Sequence, residues 1–298
     1  MSIYIDERTY LLVQGITGRQ AYMNTLYMEA YGTNVCAGVT PGKGGTKLKN
    51  GIPVFNTVAE AIAYDNRINT SVLYVPARAL KQAVYEALDA GIKLLVLITE
   101  RAPHQDVLSI IAKAEDVGAT VVGPNSIGMI SPGKAVIGLI GARVELANKV
   151  FTAGNIGVLS RSGGQTTTLC SYVTRAGYGQ STAIGIGGDE FVGTTWAKAL
   201  LEFEKDPDTK AVVAFGEIGG IVEEEAAKLV MDKGFTKLLI VYVSGKFALD
   251  GIRYGHAGAI VKRGRGSVKD KEALLRKAGV IVLDHLDDVG KELGQALK

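Results

Sequence analysis

The sequence predicts an α/β protein built as two doubly wound units in tandem. Short runs rich in Val, Leu and Ile alternate with runs of helical period along the whole chain. The short runs lack polar alternation, as strands do when helices cover both faces of a parallel sheet. The alternation comes as two series with one interruption, and 298 residues exceed what one small core needs.

In the first series, strands are expected at Tyr10–Gln14, Asn34–Val39, Ser71–Pro76, Lys93–Thr99 and Thr120–Pro124, each bounded by turn residues. Helical patterns such as Ala79–Ala90 and His104–Val117 lie between them. The rhythm breaks over Ile127–Ala153, where Ser131-Pro132-Gly133-Lys134 reads as a turn and no clear helix follows. That break gives a first domain over 1–128, a connecting segment over 129–153 and a second domain over 154–298. The second series has strands at Ile156–Ser160, Ser181–Ile186, Ala211–Gly216, Lys237–Val243 and Val280–Asp284. Its helices include Thr194–Phe203, Glu223–Asp232 and Asp270–Lys277, with a last one near Asp287–Leu297.

Bulk properties narrow the function. Hydrophobic residues make up 47% and charged residues 21%, which excludes a disordered chain. A net charge of +3 without a long basic block speaks against a nucleic-acid partner. Lys262, Arg263 and Arg265 form a small basic loop that reads as solvated, the alternative being contact with an anionic ligand or partner. Cys36 and Cys170 sit in apolar runs and read as buried free thiols. No CxxC or His/Cys cluster suggests a metal site. The start, Met-Ser-Ile-Tyr-Ile-Asp, does not read as a signal peptide, and no run of 18 apolar residues occurs. A cytoplasmic protein without a membrane partner is expected.

Ligands of open parallel sheets bind at the carboxyl ends of the strands, and five glycine clusters fall there. The first, Gln14-Gly15-Ile16-Thr17-Gly18-Arg19-Gln20, resembles the phosphate turn of a nucleotide-binding βαβ unit but lacks the full GxGxxG spacing. The second, Thr40-Pro41-Gly42-Lys43-Gly44-Gly45-Thr46, carries a lysine where a dinucleotide dehydrogenase usually has an acid. A lysine there favours an additional phosphate, as in CoA or NADP. The third, Ser160-Arg161-Ser162-Gly163-Gly164-Gln165-Thr166, opens a helix whose first N–H groups can hold an anion. The others are Gly185-Ile186-Gly187-Gly188-Asp189 and Gly216-Glu217-Ile218-Gly219-Gly220. Of three histidines, only His256 lies among small residues, in Gly255-His256-Ala257-Gly258-Ala259. There it can present a ring nitrogen as a nucleophile at working pH.

These motifs, with Pro53-Val54-Phe55 and Gly123-Pro124-Asn125, run in order through the chain. In that order they resemble the α subunit of succinyl-CoA synthetase and the related nucleoside-diphosphate-forming acid–CoA ligases. The resemblance covers essentially all residues. It implies a Rossmann-like CoA-binding domain followed by a flavodoxin-like ligase domain. It implies that Thr17, Gly18, Arg19, Gln20, Lys43, Ile98, Thr99 and Glu100 contact coenzyme A. By the same resemblance His256 is the phosphorylated histidine, Glu217 orients it, and Ser160, Ser162 and Gly163 form the facing phosphate site. It also implies a β subunit with an ATP-grasp domain, which binds ATP or GTP with Mg.

The chain departs from the family pattern beside that site. Gly164 and Thr167 stand where the family usually has threonine and a substrate-linked tyrosine. Ser126-Ile127 replaces Cys-Pro, Glu190 replaces proline after Asp189, Arg78-Ala79 replaces Pro-Phe, and Phe247-Ala248-Leu249 replaces Thr-Ala-Pro. Succinate is the expected small-acid substrate. The alternative is another polar acid: malate, citrate or a sulfonated carboxylate. Readings of other classes are a non-catalytic CoA-binding regulatory protein and an NADP-dependent oxidoreductase.

Overall fold

The structure, a computed structural model, describes residues 2–297 except 250, 253, 257–258 and 262–265. Ala257, Gly258 and the basic loop residues Lys262, Arg263 and Arg265 therefore lie outside the described residues.

The first sheet is wholly parallel. Its strands are β1 (Tyr10–Gln14), β2 (Asn34–Val39), β3 (Val54–Phe55), β4 (Thr70–Leu73), β5 (Leu94–Leu97) and β6 (Thr120–Val122). Their spatial order is β3-β2-β1-β4-β5-β6, and it reverses direction between β1 and β4. Helices α1 (Arg19–Tyr31), α2 (Val58–Tyr64), α3 (Leu80–Asp89) and α4 (His104–Asp116) cover it. In β1, Leu11 and Val13 enter one hydrophobic cluster while Leu12 enters another, so both faces are buried.

The second sheet holds β7 (Gly128–Ser131), β8 (Ala135–Gly138), β9 (Ala153–Ser160), β10 (Gln180–Gly185), β11 (Ala211–Glu217), β12 (Leu238–Ser244) and β13 (Ile281–Val282). Its order is β13-β12-β11-β9-β10-β7-β8. Strands β9 to β13 are parallel in the flavodoxin-like order, and β7 and β8 pair antiparallel at the β10 edge. Its helices are α5 (Val144–Val150), α6 (Gly163–Arg175), α7 (Trp196–Lys205), α8 (Val222–Met231), α9 (Val268–Lys277) and α10 (Val289–Ala296). Two tandem doubly wound sheets are thus present, as expected.

The stretch read as a helix-free connection is different. It contributes most of the hairpin β7–β8, with Ile130 opposite Ala183 of β10, and the helix α5. Four-residue strands between glycines give a weak signal, and an antiparallel pair does not fit a series of parallel units. The hairpin fastens the two sheets together. Met129, Ile130, Val136 and Ile137 belong to the cluster that includes Leu11 and Val13 on one side and Val158, Leu159 and Ile184 on the other. Polar bonds reinforce the junction. The Tyr27 hydroxyl donates to the Ile140 carbonyl at 2.6 Å, and the Thr33 hydroxyl donates to the Val136 carbonyl at 2.8 Å. Among the described residues, no helix is long and apolar enough to cross a membrane.

Candidate active site

Loops from both sheets converge on one cavity of about 450 Å³. From the first sheet come Gln20, the run Tyr74–Ala77, Ile98, Thr99 and Glu100. Asn125, Ser126 and Ile127 follow β6, Gly163 begins α6, and His256 closes the wall. The expected strands Ser71–Pro76 and Lys93–Thr99 end earlier than predicted, at Leu73 and Leu97. The residues beyond those ends turn into the cavity wall.

His256 Nδ1 lies 3.0 Å from Glu217 Oε1 and 2.9 Å from Oε2. An ionised carboxylate only accepts, so the contact assigns the proton to Nδ1 and leaves the lone pair on Nε2. No described residue hydrogen-bonds Nε2. The Glu217 hydrogen bond holds the imidazole above its ordinary pKa, while partial burial opposes the rise. Arg161 pulls the value down and Asp189 pushes it up. The ring packs on backbone, because a Cβ at Gly188 would stand 2.4 Å from His256 Cγ. The next residue, Asp189, accepts from Asn125 Nδ2 at 3.0 Å.

The start of α6 is open to an anion. Its N-cap, Ser162, makes no side-chain capping bond, and its first turn holds no acid. The first-turn N–H groups have no partner inside the helix, and the helix dipole adds positive potential. Ser160 supports this loop from below. Its buried hydroxyl accepts the Ser162 N–H at 3.0 Å and donates to the Ser162 carbonyl at 2.8 Å. Of the phosphate loop, Gly163 reaches the cavity wall.

The first-domain residues divide in the same way. Gln20, Ile98, Thr99 and Glu100 line the cavity, whereas Thr17, Gly18 and Lys43, on adjoining loops, and Arg19, at the start of α1, are exposed and outside its wall. Thr17 and Thr40 hydroxyls meet at 3.2 Å, and the Lys43 N–H donates to the Thr40 carbonyl at 3.0 Å, so the loops after β1 and β2 are joined. Gly18 caps α1 without a side-chain bond, leaving a second open helix start. Tyr74 Oη, in a cavity-lining residue, is buried beside the Asn24 side chain on α1, and burial pushes its hydroxyl pKa up. Open helix starts suit a ligand that carries phosphates, as CoA does.

Comparison with known proteins agrees with this arrangement. Residues 6–101 match the CoA binding domain family and residues 159–281 match the CoA-ligase family. The chain is 46% identical over 298 residues to the succinate–CoA ligase [ADP-forming] subunit alpha 1 of Archaeoglobus fulgidus, covering 100% of this chain and 99% of that one. This chain belongs to the succinyl-CoA synthetase α-subunit family of acid–CoA ligases. Like the ADP-forming ligases it resembles, it is a CoA-ligase chain with a domain for coenzyme A. It is also 43% identical over 293 residues to subunit SqwL of an ADP-forming sulfoacetate–CoA ligase from an Acholeplasma species, covering 98% of this chain and 97% of that one. Its fold matches an ATP citrate lyase from Methanothrix soehngenii with a TM-score of 0.90 at 23% identity. That match covers 98% of this chain and 50% of the lyase chain.

Of the departures from the succinyl-CoA synthetase pattern, Gly164, Thr167, Ser126 and Ile127 lie in or beside the first turns of α6. Beyond its own helix, no described residue lies within 4 Å of where a Cβ at Gly164 would stand, and the residue is exposed. Thr167 is half-buried one turn later, and neither residue is in the cavity wall. Ile127 packs between the start of α6 and the end of β10: a Cβ at Gly163 would meet its Cβ at 3.1 Å, and one at Gly185 its Cγ2 at 2.3 Å. Ser126 turns inward, its hydroxyl donating to the Gly185 carbonyl and accepting the Gly128 N–H at 2.8 Å.

Sequence reasoning did not single out Gly188, Asn125, Tyr74, Arg161, Glu223 or Lys271 as site residues. Gly188 and Asn125 lay within noted motifs. A lysine on an amphipathic helix reads as surface, so nothing distinguished Lys271.

Proposed function

We propose that this chain is the α subunit of a ligase that joins a small carboxylic acid to CoA, with His256 carrying the phosphoryl group. The observation that carries the reading is the pairing of His256 Nδ1 with both Glu217 oxygens beside an uncapped helix start. Nε2 attacks the terminal phosphorus of ATP or GTP, and the P–O bond to the diphosphate breaks. The Nδ1 proton stays shared with Glu217, which balances charge on the ring. A carboxylate oxygen of the acid then attacks the phosphorus, giving an acyl phosphate and restoring the free imidazole. CoA supplies the thiol that takes the acyl group, with inorganic phosphate leaving. The first-turn N–H groups of α6, preorganised by the Ser160–Ser162 turn, hold the phosphoryl oxygens. In the first domain, Gln20, Ile98, Thr99 and Glu100 border the ligand, and Thr17, Gly18, Arg19 and Lys43 meet its phosphates at the mouth.

The nucleotide and its Mg bind a partner β subunit with an ATP-grasp domain, in a cytoplasmic complex. The name of the Archaeoglobus fulgidus relative, an ADP-forming ligase subunit alpha, supports a further subunit and an adenine nucleotide. Succinate is the first reading of the acid. A sulfonated carboxylate is the second, supported by the sulfoacetate–CoA ligase relative. Incubating the αβ pair with γ-labelled ATP or GTP tests the carrier step, and a panel of acids with CoA tests the substrate. An acid-labile, base-stable label on this chain that vanishes in His256→Asn is expected. Label that persists in that variant excludes His256 as the carrier. CoA binding with no label in the wild-type pair favours a non-catalytic CoA-binding protein.

A further inference from the structure

Behind Glu217 lies a set of charged side chains that never reaches the cavity. Arg161 is 3% exposed, and Glu223 and Lys271 are fully buried. Arg161 Nε stands 3.5 Å from Glu217 Oε1, on the carboxylate that holds the histidine. The same guanidinium donates from Nη1 to the Gly219 carbonyl at 3.1 Å and lies 3.9 Å from Glu223 Oε1. Glu223 Oε1 accepts the backbone N–H of Glu217 at 3.1 Å. Its other oxygen accepts from Lys271 Nζ at 2.5 Å. Lys271 Nζ also reaches Glu224 Oε2 at 2.8 Å and the Gly220 carbonyl at 3.2 Å.

Apart from the Lys271 bonds to Glu223 and Glu224, which join α9 to α8, every contact in this set bears on the Gly216–Gly220 loop or on the phosphate loop. Glu223 grips the backbone of Glu217, Lys271 and Arg161 grip the carbonyls of Gly220 and Gly219, and Arg161 itself belongs to the phosphate loop. A buried ion pair is a poor source of stability, because desolvation offsets most of its attraction. A well-packed apolar pair would serve the fold as well. What an apolar pair lacks is an acceptor for the Glu217 N–H and a counter-charge that shares Arg161. Were Glu223 neutral, the guanidinium would face Glu217 alone and compete with the imidazole for its carboxylate.

We propose that Glu223 and Lys271 are positioning residues for the phosphoryl transfer. They fix the backbone of Glu217 and divide Arg161 between two carboxylates, so that the Glu217 carboxylate stays committed to His256 Nδ1. The inference rests on the reading of His256 as phosphoryl carrier. Neither residue touches His256 or lines the cavity, so their effect is transmitted through Glu217.

The test uses the full chain with its partner subunit and the double variant Glu223→Gln/Lys271→Met. It removes both charges at near-constant volume and leaves no buried charge unpaired. Lys271→Met alone is expected to lower Tm, and the double variant is expected to regain most of that loss. If the pair positions Glu217, the double variant loses tenfold or more in kcat while KM for the acid and for CoA stays within twofold. The titration of His256, followed by NMR on a chain with only three histidines, then moves toward an ordinary imidazole. The groups facing that ring are Glu217, Arg161 and Asp189, with Glu100 lining the same cavity. None of them is altered in the double variant, so a shift reports their arrangement. Wild-type kcat together with a wild-type His256 titration overturns the proposal. Should the double variant fail to fold, Glu223→Gln alone is read by the same titration, and an unmoved His256 overturns the proposal there too. Absence of phosphoryl label from the wild-type pair sinks the carrier reading instead. In that case the titration still decides whether Glu223 and Lys271 position Glu217.

Discussion

His256 and Glu217 are 39 residues apart in sequence, yet Nδ1 of one stands within 3.0 Å of both carboxylate oxygens of the other. Glu217 is the last residue of β11, and the histidine returns to it on the long connection after β12. A strand end is a rigid platform, so the carboxylate fixes the ring although the ring itself sits in a loop. That division of labour underlies the first two predictions.

The ring attacks phosphorus only when Nε2 is unprotonated. Glu217 raises the His256 pKa, so labelling should be full above that raised value and fall as pH is lowered through it. Glu217→Gln removes the carboxylate and lowers the pKa, so the acidic limb moves to lower pH. The maximal rate should fall by about 100-fold, the scale of a misplaced reacting group. Initial labelling rates against pH for both proteins check this. A limb that does not move counts against Glu217 as the tuning group.

Gly188→Ala places a methyl group where the imidazole now packs, 2.4 Å from Cγ. Gly188 is not among the glycines in the left-handed region, so the strain is contact alone. The ring must move off Glu217, and labelling should fall by about 100-fold. CoA affinity, measured by calorimetry, should be unchanged. Wild-type labelling would show that the loop yields freely.

Lys43→Ala should weaken CoA binding by about 1–3 kcal/mol, the range for a charge-assisted hydrogen bond. Lys43 is exposed and outside the cavity wall, so the partner must be a part of the ligand that extends from the cavity toward the β2 loop. Calorimetry on the purified chain measures it. Equal affinities would remove Lys43 from the CoA site.

Gly164→Thr with Thr167→Tyr restores the common pattern beside α6. It fills space that is open around Gly164. The ratio of kcat/KM for succinate over larger or more polar acids should rise by a factor equivalent to about 1–3 kcal/mol. A wild type that already prefers succinate over every acid in the panel would leave the open space without a role in selection.

Much of this architecture was legible in the sequence. The strands Tyr10–Gln14 and Asn34–Val39 stand where the apolar runs place them. Others overran. Tyr74, Val75, Ile98 and Thr99 favour strands locally, but they follow the last paired residues and serve the cavity instead. The hairpin β7–β8 escaped because its strands are short and antiparallel. The pairing of His256 with Glu217 came from resemblance to a family, since no spacing rule joins a strand end to a loop 39 residues later. Lys271 stayed invisible because burial of a helical lysine depends on partners, Glu223 and Glu224, contributed by another helix.

The hairpin between the sheets has an evolutionary consequence. Its inner residues Met129, Ile130, Val136 and Ile137 share a single apolar interior with both halves of the chain. A crossover at the apparent seam would give a hybrid whose hairpin faces an unfamiliar partner, leaving gaps or clashes in the middle of that interior. Exchange of one half alone is therefore expected to destabilise the chain, because each half packs on the same hairpin. Gene fusions or splits that preserve the protein belong outside this segment, however modular the two sheets look.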